Sequence, residues 1–266
     1  MAGRKGRLTS IAGVALVGLA LIALMIVPLA ELARVALEQI GGAGSLRPGE
    51  TGTALFNTVW VGAAVAVIAV AAGSVGAFVT ERIRVDRAGW LRAAILMPLL
   101  VPGYVSALSF MRAYGPSGLT DDLWGLSLPG LFGPTGIIIV LAINATPIAY
   151  LVTVAALRSR SEPDLERAAL AHGARRRVML MTVVLPLLAP ALLGAAALVF
   201  VTAINAFGAP AFLGVPGGFS TVTARIYQDL ARAARPEAFS RAVLLAVILV
   251  ILALVFVLIA DRLIAG

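Results

Sequence analysis

Apolar positions in this chain recur neither at a clean helical nor at a strand period; they run on almost without interruption. Six stretches stand out, at 11–36, 54–79, 90–111, 135–157, 185–212 and 242–264. Each is long enough to cross a bilayer, since about 30 Å of hydrocarbon takes about 20 apolar residues at about 1.5 Å of rise each. Residues 59–79 carry no charge and leave no polar face for water, so a soluble bundle of greasy helices is the poorer reading. The pattern predicts an all-α, polytopic membrane protein with six transmembrane helices. Arg4, Lys5 and Arg7 precede the first stretch as they would in a secretory signal. The apolar core of such a signal is only about 7–15 residues long, so a retained first helix is expected.

Several stretches are punctuated. Pro98, Pro102 and Gly103 fall inside the third, Pro147 inside the fourth, and Pro186 and Pro190 open the fifth. Proline removes a backbone donor and clashes with the preceding turn, so bends are expected there, the cluster at 98–103 above all. In hydrocarbon the freed carbonyls need partners, which places such bends against protein or a water-lined path. The fifth stretch is too long for one straight crossing, and Gly208 and Pro210 are expected to end its helix.

The connection 158–182 is the longest on its side and has helix signals of its own. Ser161 and Asp164 suit a cap, Pro163 a first turn, and Gly173 a left-handed stop before Arg175, Arg176 and Arg177. The apolar face between them, Leu165, Ala168, Ala169 and His172, is built largely of alanines. Alanines bury little in lipid but allow close approach of another protein. On the other side, Val222, Ile226 and Leu230 fall four apart, predicting a short surface helix within 220–240 that Pro236 ends.

Composition agrees with a membrane setting: 61% of residues are apolar and 13% charged, where soluble domains carry about 45–50% and about 25%. The net charge of +8 rests on Lys5 and twenty arginines spread between apolar runs, which argues against a nucleic-acid partner. With the N-terminus inside, fourteen of the 21 basic residues fall in inner segments, so both termini are expected in the cytoplasm. Arg225, Arg232, Arg235 and Arg241 in the last outer segment depart from that trend.

Catalytic chemistry finds little footing. Cysteine is absent, which removes disulfides, thiolate metal sites and a cysteine nucleophile. Lys5 is the one lysine, so a phosphate-cradling Walker loop has no place. The single histidine, His172, has no companion ligand, and Asp121 and Asp122, being adjacent, point apart as in a solvated turn. No catalytic residue and no metal site are assigned. Asn57, Asn144 and Asn205 are the polar residues within spans, where such groups mark a path or bond neighbouring helices. For Asn144 the interhelical bond is the stronger reading. No acidic residue lies deep in a span, against the rival class of ion-coupled secondary transporters.

Arg167-Ala168-Ala169, three residues, Gly173, nine residues, then Val183-Val184-Leu185-Pro186 resembles the cytoplasmic signature of ABC importer permeases, Glu-Ala-Ala, three residues, Gly, nine residues, Ile-x-Leu-Pro. Both long spacings match. Arg167 stands at the glutamate position with Glu166 just before it, and one position turns a helical side chain by about 100°. Asn57-Thr58 is similar to the start of a span in these permeases. Residues 205–214 and 223–227 resemble the ferric-iron branch, with Asn205 where that branch has aspartate; related branches carry polyamines, thiamine or phosphonates.

The resemblance implies an ABC importer type-1 transmembrane domain over 53–264, with the cytoplasmic N-terminus, the first of the six transmembrane helices and an outer loop in 1–52. A coupling helix in 158–182 would dock on an ATPase through Glu166, Arg167, Ala168, Ala169, Gly173, Leu185 and Pro186. A path that includes Asn57, Asn205, Phe207 and Gly208 is expected, and in the outer segment either the short helix lies on the bilayer surface or Arg225, Arg232 and Arg235 seat an acidic rim of the binding protein. The implied partners are a second permease, identical or paralogous, two ATPase subunits that hold ATP and Mg, an extracytoplasmic binding protein and the lipid bilayer. The implied location is a bacterial plasma membrane, with no cofactor in this chain.

Overall fold

The computed structural model describes residues 2–40, 46–82, 88–126, 128–160, 175–231 and 236–265. Among them the chain is helical, without strands. Five helices are long and apolar enough to cross a membrane: Leu16–Glu38, Pro48–Arg82, Pro134–Ser159, Leu180–Ile204 and Glu237–Ile264. They are spans 1, 2, 4, 5 and 6 below. The sixth expected crossing, span 3, is two pieces, Gly89–Leu100 and Gly103–Trp124, set at 99° to one another.

The break in span 3 follows from local chemistry. A residue before proline is pushed out of the helical region by the ring. Val101, ahead of Pro102, is extended at φ −100° and ψ 120°. Pro102 then caps a new helix, Gly103–Tyr114, and Val105 and Ser106 N–H groups bond its carbonyl. Pro147, by contrast, interrupts nothing: it is fully buried inside the continuous helix Pro134–Arg160.

Two expected boundaries are corrected. Span 5 ends at Ile204, capped by Asn205, and not at Gly208 or Pro210. Pro210 instead opens a π-helical turn, Pro210–Gly214, in a folded segment that continues to the helix Val222–Leu230. Pro236 does not end that short helix; it starts the last one, Pro236–Ala265, where its missing donor leaves no ladder bond unmade. At the other end of span 5 a π-turn, Leu180–Val184, immediately precedes Leu185-Pro186, and the Leu185 N–H bonds the Leu180 carbonyl. Prolines near the start of a ladder are accommodated by such local widening.

Spans 2, 4 and 5 form the core, with span 6 packed on span 5. Span 2 presents small residues at helical spacing, among them Ala54, Thr58, Gly62, Ala66, Ala69, Gly73 and Ala77. In lipid, where burial alone gives no advantage, small residues let helices close up and gain dispersion contacts. A Cβ at Gly73 would lie 2.6 Å from the Tyr150 backbone nitrogen, and one at Gly62 2.7 Å from Ile204. Phe200 of span 5 stacks on Phe256 of span 6 at 3.7 Å. Span 1 touches this body through Leu32, Val35 and Ala36 against Val243, Leu244 and Val247.

Candidate functional site

At one end of the bundle Glu81, the penultimate residue of span 2, gathers two arginines. Arg158, near the end of span 4, donates to both carboxylate oxygens at 2.9 and 3.0 Å, and Arg92, in the first half of span 3, donates at 3.0 Å. Arg92 also donates to the Thr80 carbonyl. Glu81 is only 13% exposed, so three helix ends meet on one largely desolvated carboxylate. Residues 161–174 begin three positions after Arg158 and lie outside the described residues, with Glu166, Arg167, Ala168, Ala169, His172 and Gly173 of the expected coupling loop. Leu185 and Pro186 are described, and both are exposed at the start of span 5. The sequence offers Glu81 no motif, only an acidic residue at a span end.

The expected path residues divide. Asn57 donates from Nδ2 to the Ser220 carbonyl at 2.9 Å. Beside it, Thr58 Oγ1 accepts the Val222 N–H and donates to the Ala54 carbonyl. This Asn-Thr pair therefore ties the segment after span 5 down onto span 2. Thr223 Oγ1 closes the same segment onto the Ala206 carbonyl at 2.9 Å. Asn205 is exposed and bonds its own helix, donating to the Val201 carbonyl at 2.8 Å. Phe207 packs against Tyr227 with ring centroids 4.7 Å apart. Gly208 is a contact point: a Cβ there would sit 2.6 Å from Tyr104 Cα. It is where the segment after span 5 presses on the first turn beyond the break in span 3.

That break opens a cavity of about 320 Å³ between spans 3, 4 and 5, bordered by Pro102, Gly103, Asn144 and Thr202. Ser106 Oγ donates to Asn144 Oδ1 at 3.1 Å, the interhelical bond expected of Asn144. Asn144 Nδ2 is buried and has no partner.

At the opposite end from Glu81, Arg225 is bound to Glu50 of span 2, which also accepts Arg47 at 3.1 Å. Asp229, 7% exposed, accepts Arg241 at 2.9 Å. These pairs line a polar cavity of about 260 Å³. The buried side of Val222–Leu230 is thus Val222, Thr223, Ala224 and Asp229, packed on spans 2 and 6, while Leu230 is exposed. Of the expected stripe, Val222 is in the core and Ile226 packs against it, and Leu230 alone is exposed. Arg232 and Arg235 lie outside the described residues.

A multi-pass bundle with one broken helix, a cavity at the break and charged clusters at both ends is the build of a membrane permease. The chain belongs to the family described as binding-protein-dependent transport system inner membrane component, which matches residues 54–265. It is an ABC importer permease subunit by that membership. It is 33% identical over 166 residues to a probable ABC transporter permease of Sinorhizobium fredii, covering 60% of this chain and 29% of that protein. It is 27% identical over 178 residues to a putative ferric transport system permease of Haemophilus influenzae, covering 65% and 28%. The chain thus spans under a third of the length of these two relatives. It is 31% identical over 211 residues to a molybdenum transport system permease of Mycobacterium bovis, covering 77% of each. A bacterial ABC transporter that imports the acidic polysaccharide alginate has the same fold, with a TM-score of 0.82 at 16% identity over 98% of this chain and 96% of that one.

Proposed function

We propose that the chain forms half of the translocation path of an ATP-driven importer in a bacterial plasma membrane, both termini cytoplasmic. It pairs with a second permease, identical or paralogous, and takes its solute from an extracytoplasmic binding protein. Two ATPase subunits hold ATP and Mg; this chain contributes no catalytic group. The family match over residues 54–265 carries the reading.

The geometry supports a mechanism. ATP and solute drive a cycle only if they favour different states of the path. A docked ATPase would move the loop after Arg158, and Glu81 would pass that movement to the ends of spans 2, 3 and 4 together. The break in span 3 lets its two halves move separately. Ferric iron is the solute the resemblance favours, with polyamine, thiamine and phosphonate as its other branches; relatives named for molybdenum and trehalose widen the range.

The test is co-purification of the chain with an ATPase, and ATP-dependent uptake, in reconstituted vesicles, of whatever solute mass spectrometry finds on the cognate binding protein. Uptake that proceeds without ATP and follows a proton or sodium gradient would replace this reading with a secondary transporter.

A further inference from the structure

The buried hydroxyl of Tyr150 carries an inference that rests on the permease reading and deepens it. We propose that Tyr150 is a positioning residue for energy coupling: it passes a displacement of the 158–182 connection, where an ATPase would dock, to spans 2 and 3.

Tyr150 lies on span 4 about two turns before Arg158 and is 3% exposed. It fills a notch on span 2 that two glycines leave open. A Cβ at Gly73 would lie 2.6 Å from the Tyr150 backbone nitrogen, and one at Gly76 3.5 Å from its ring. At the end of that notch the Tyr150 hydroxyl meets Thr80 Oγ1 at 3.1 Å. The direction of this bond follows from the proton count. Thr80 has a single hydroxyl proton, and the Gly76 carbonyl at 3.0 Å, with the Ala77 carbonyl at 3.3 Å, takes it. Tyr150 is therefore the donor and Thr80 the acceptor. The Thr80 carbonyl in turn accepts Arg92 of span 3 at 3.2 Å. Spans 4, 2 and 3 are thus joined in series through one phenol.

The place of Tyr150 in the packing points to what this series does. Tyr150 belongs to a cluster distinct from the main core, with Ala77, Leu157, Met179, Val184 and Leu188, and Ile95 of span 3 packs against it. Leu157 precedes residues 161–174 and Met179 follows them, so both arms of the connection enter the cluster that holds Tyr150. A close-packed interior transmits displacement. Apolar contacts alone are non-directional and let helices slide, whereas a buried hydrogen bond is directional and costly to leave unmade. The Glu81–Arg158 pair ties the same two helices at the rim, where Arg158 is 61% exposed and water competes for it. The Tyr150–Thr80 bond is the buried tie beside it, since Thr80 is only 5% exposed. Ser74 and Thr153 make another hydroxyl contact between spans 2 and 4, at 3.4 Å, without a bond onward to span 3.

The experiment uses the permease–ATPase complex in vesicles with ATP enclosed. The probe is the cognate binding protein as purified from cells with the solute it carries. Solute retained by the vesicles, read by mass spectrometry, is divided by phosphate released. Tyr150→Phe, which keeps the ring and removes the hydroxyl, is expected to co-purify with the ATPase as the wild type does. Its uptake per phosphate should fall about two- to tenfold, the range that one buried hydrogen bond supports. Thr80→Val should show the same fall, and the double variant should be no worse than either, as for two ends of one bond. Ser74→Ala should keep the wild-type ratio. A merely structural tyrosine would change assembly or thermal midpoint and leave the ratio alone. The proposal is overturned by a wild-type ratio in Tyr150→Phe, by additive losses in the double variant, or by an equal fall in Ser74→Ala. Should Tyr150→Phe fail to assemble, Thr80→Val is set against Thr80→Ser, which keeps the acceptor, and equal ratios overturn it. Absence of any co-purifying ATPase from the wild type sinks the permease reading instead.

Discussion

The Glu81 carboxylate receives the Arg158 guanidinium through two bonds, at 2.9 and 3.0 Å, across 77 residues of sequence. The pair joins the end of span 2 to the last described turn before residues 161–174. A bidentate arginine–carboxylate contact fixes orientation as well as distance. Arg92 adds a third helix end to the same group. Glu81→Gln is therefore expected to leave membrane insertion intact and to lower solute uptake per ATP hydrolysed severalfold. The ratio of vesicle uptake to phosphate release checks it. An unchanged ratio would make the cluster a static tie.

Gly208 and Tyr104 make the second prediction. A methyl at Gly208 would press on Tyr104 Cα at 2.6 Å and on its Cβ at 2.8 Å, both beyond relief by side-chain rotation. Overpacking of this kind costs about 1–3 kcal/mol. Gly208→Ala should lower the thermal midpoint of the detergent-solubilised protein by several degrees. Gly194→Ala is the control: a Cβ there meets nothing closer than Ile264 Cδ1 at 4.0 Å, and its midpoint should not fall.

Arg225 is expected to behave unlike its neighbours in sequence. Its guanidinium is held by Glu50, so Arg225→Ser should loosen the outer segment and lower the thermal midpoint, more at low salt than at high because the pair is partly exposed. Arg232→Ser with Arg235→Ser should instead slow association of the binding protein at low ionic strength and matter little at high salt, as rim charges do. Surface resonance on the reconstituted complex separates the two. A salt-dependent on-rate defect in Arg225→Ser would show that its docking role survives the Glu50 contact.

The coupling loop supplies the last prediction, drawn from the family motif. Gly173→Asp should insert normally but lose most uptake: the motif implies a helix-ending, docking glycine at this position, where a side chain would be strained and would obstruct the ATPase. Wild-type uptake and normal ATPase co-purification by this variant would move the docking site elsewhere.

The spans were legible in the amino-acid sequence because a bilayer leaves a chain so little choice: long apolar runs must cross as helices, and Pro98, Pro102 and Gly103 must interrupt one of them. The spacing of Ala168, Ala169, Gly173, Leu185 and Pro186 was enough to suggest the family for the same reason that any local motif is: its parts lie close along the chain. The partners of single polar groups were not legible. Asn57, Asn144 and Asn205 look alike in sequence, yet one holds down Ser220, one accepts Ser106 of another span with its nitrogen left buried and unpartnered, and one caps its own helix. Likewise, nothing near Arg225 in sequence points to Glu50, 175 residues away, and nothing near Glu81 points to Arg158. A hydrogen bond depends on a few tenths of an ångström and on direction, and those are set when helices pack; only the tertiary structure could decide which polar residue was satisfied and which was left over.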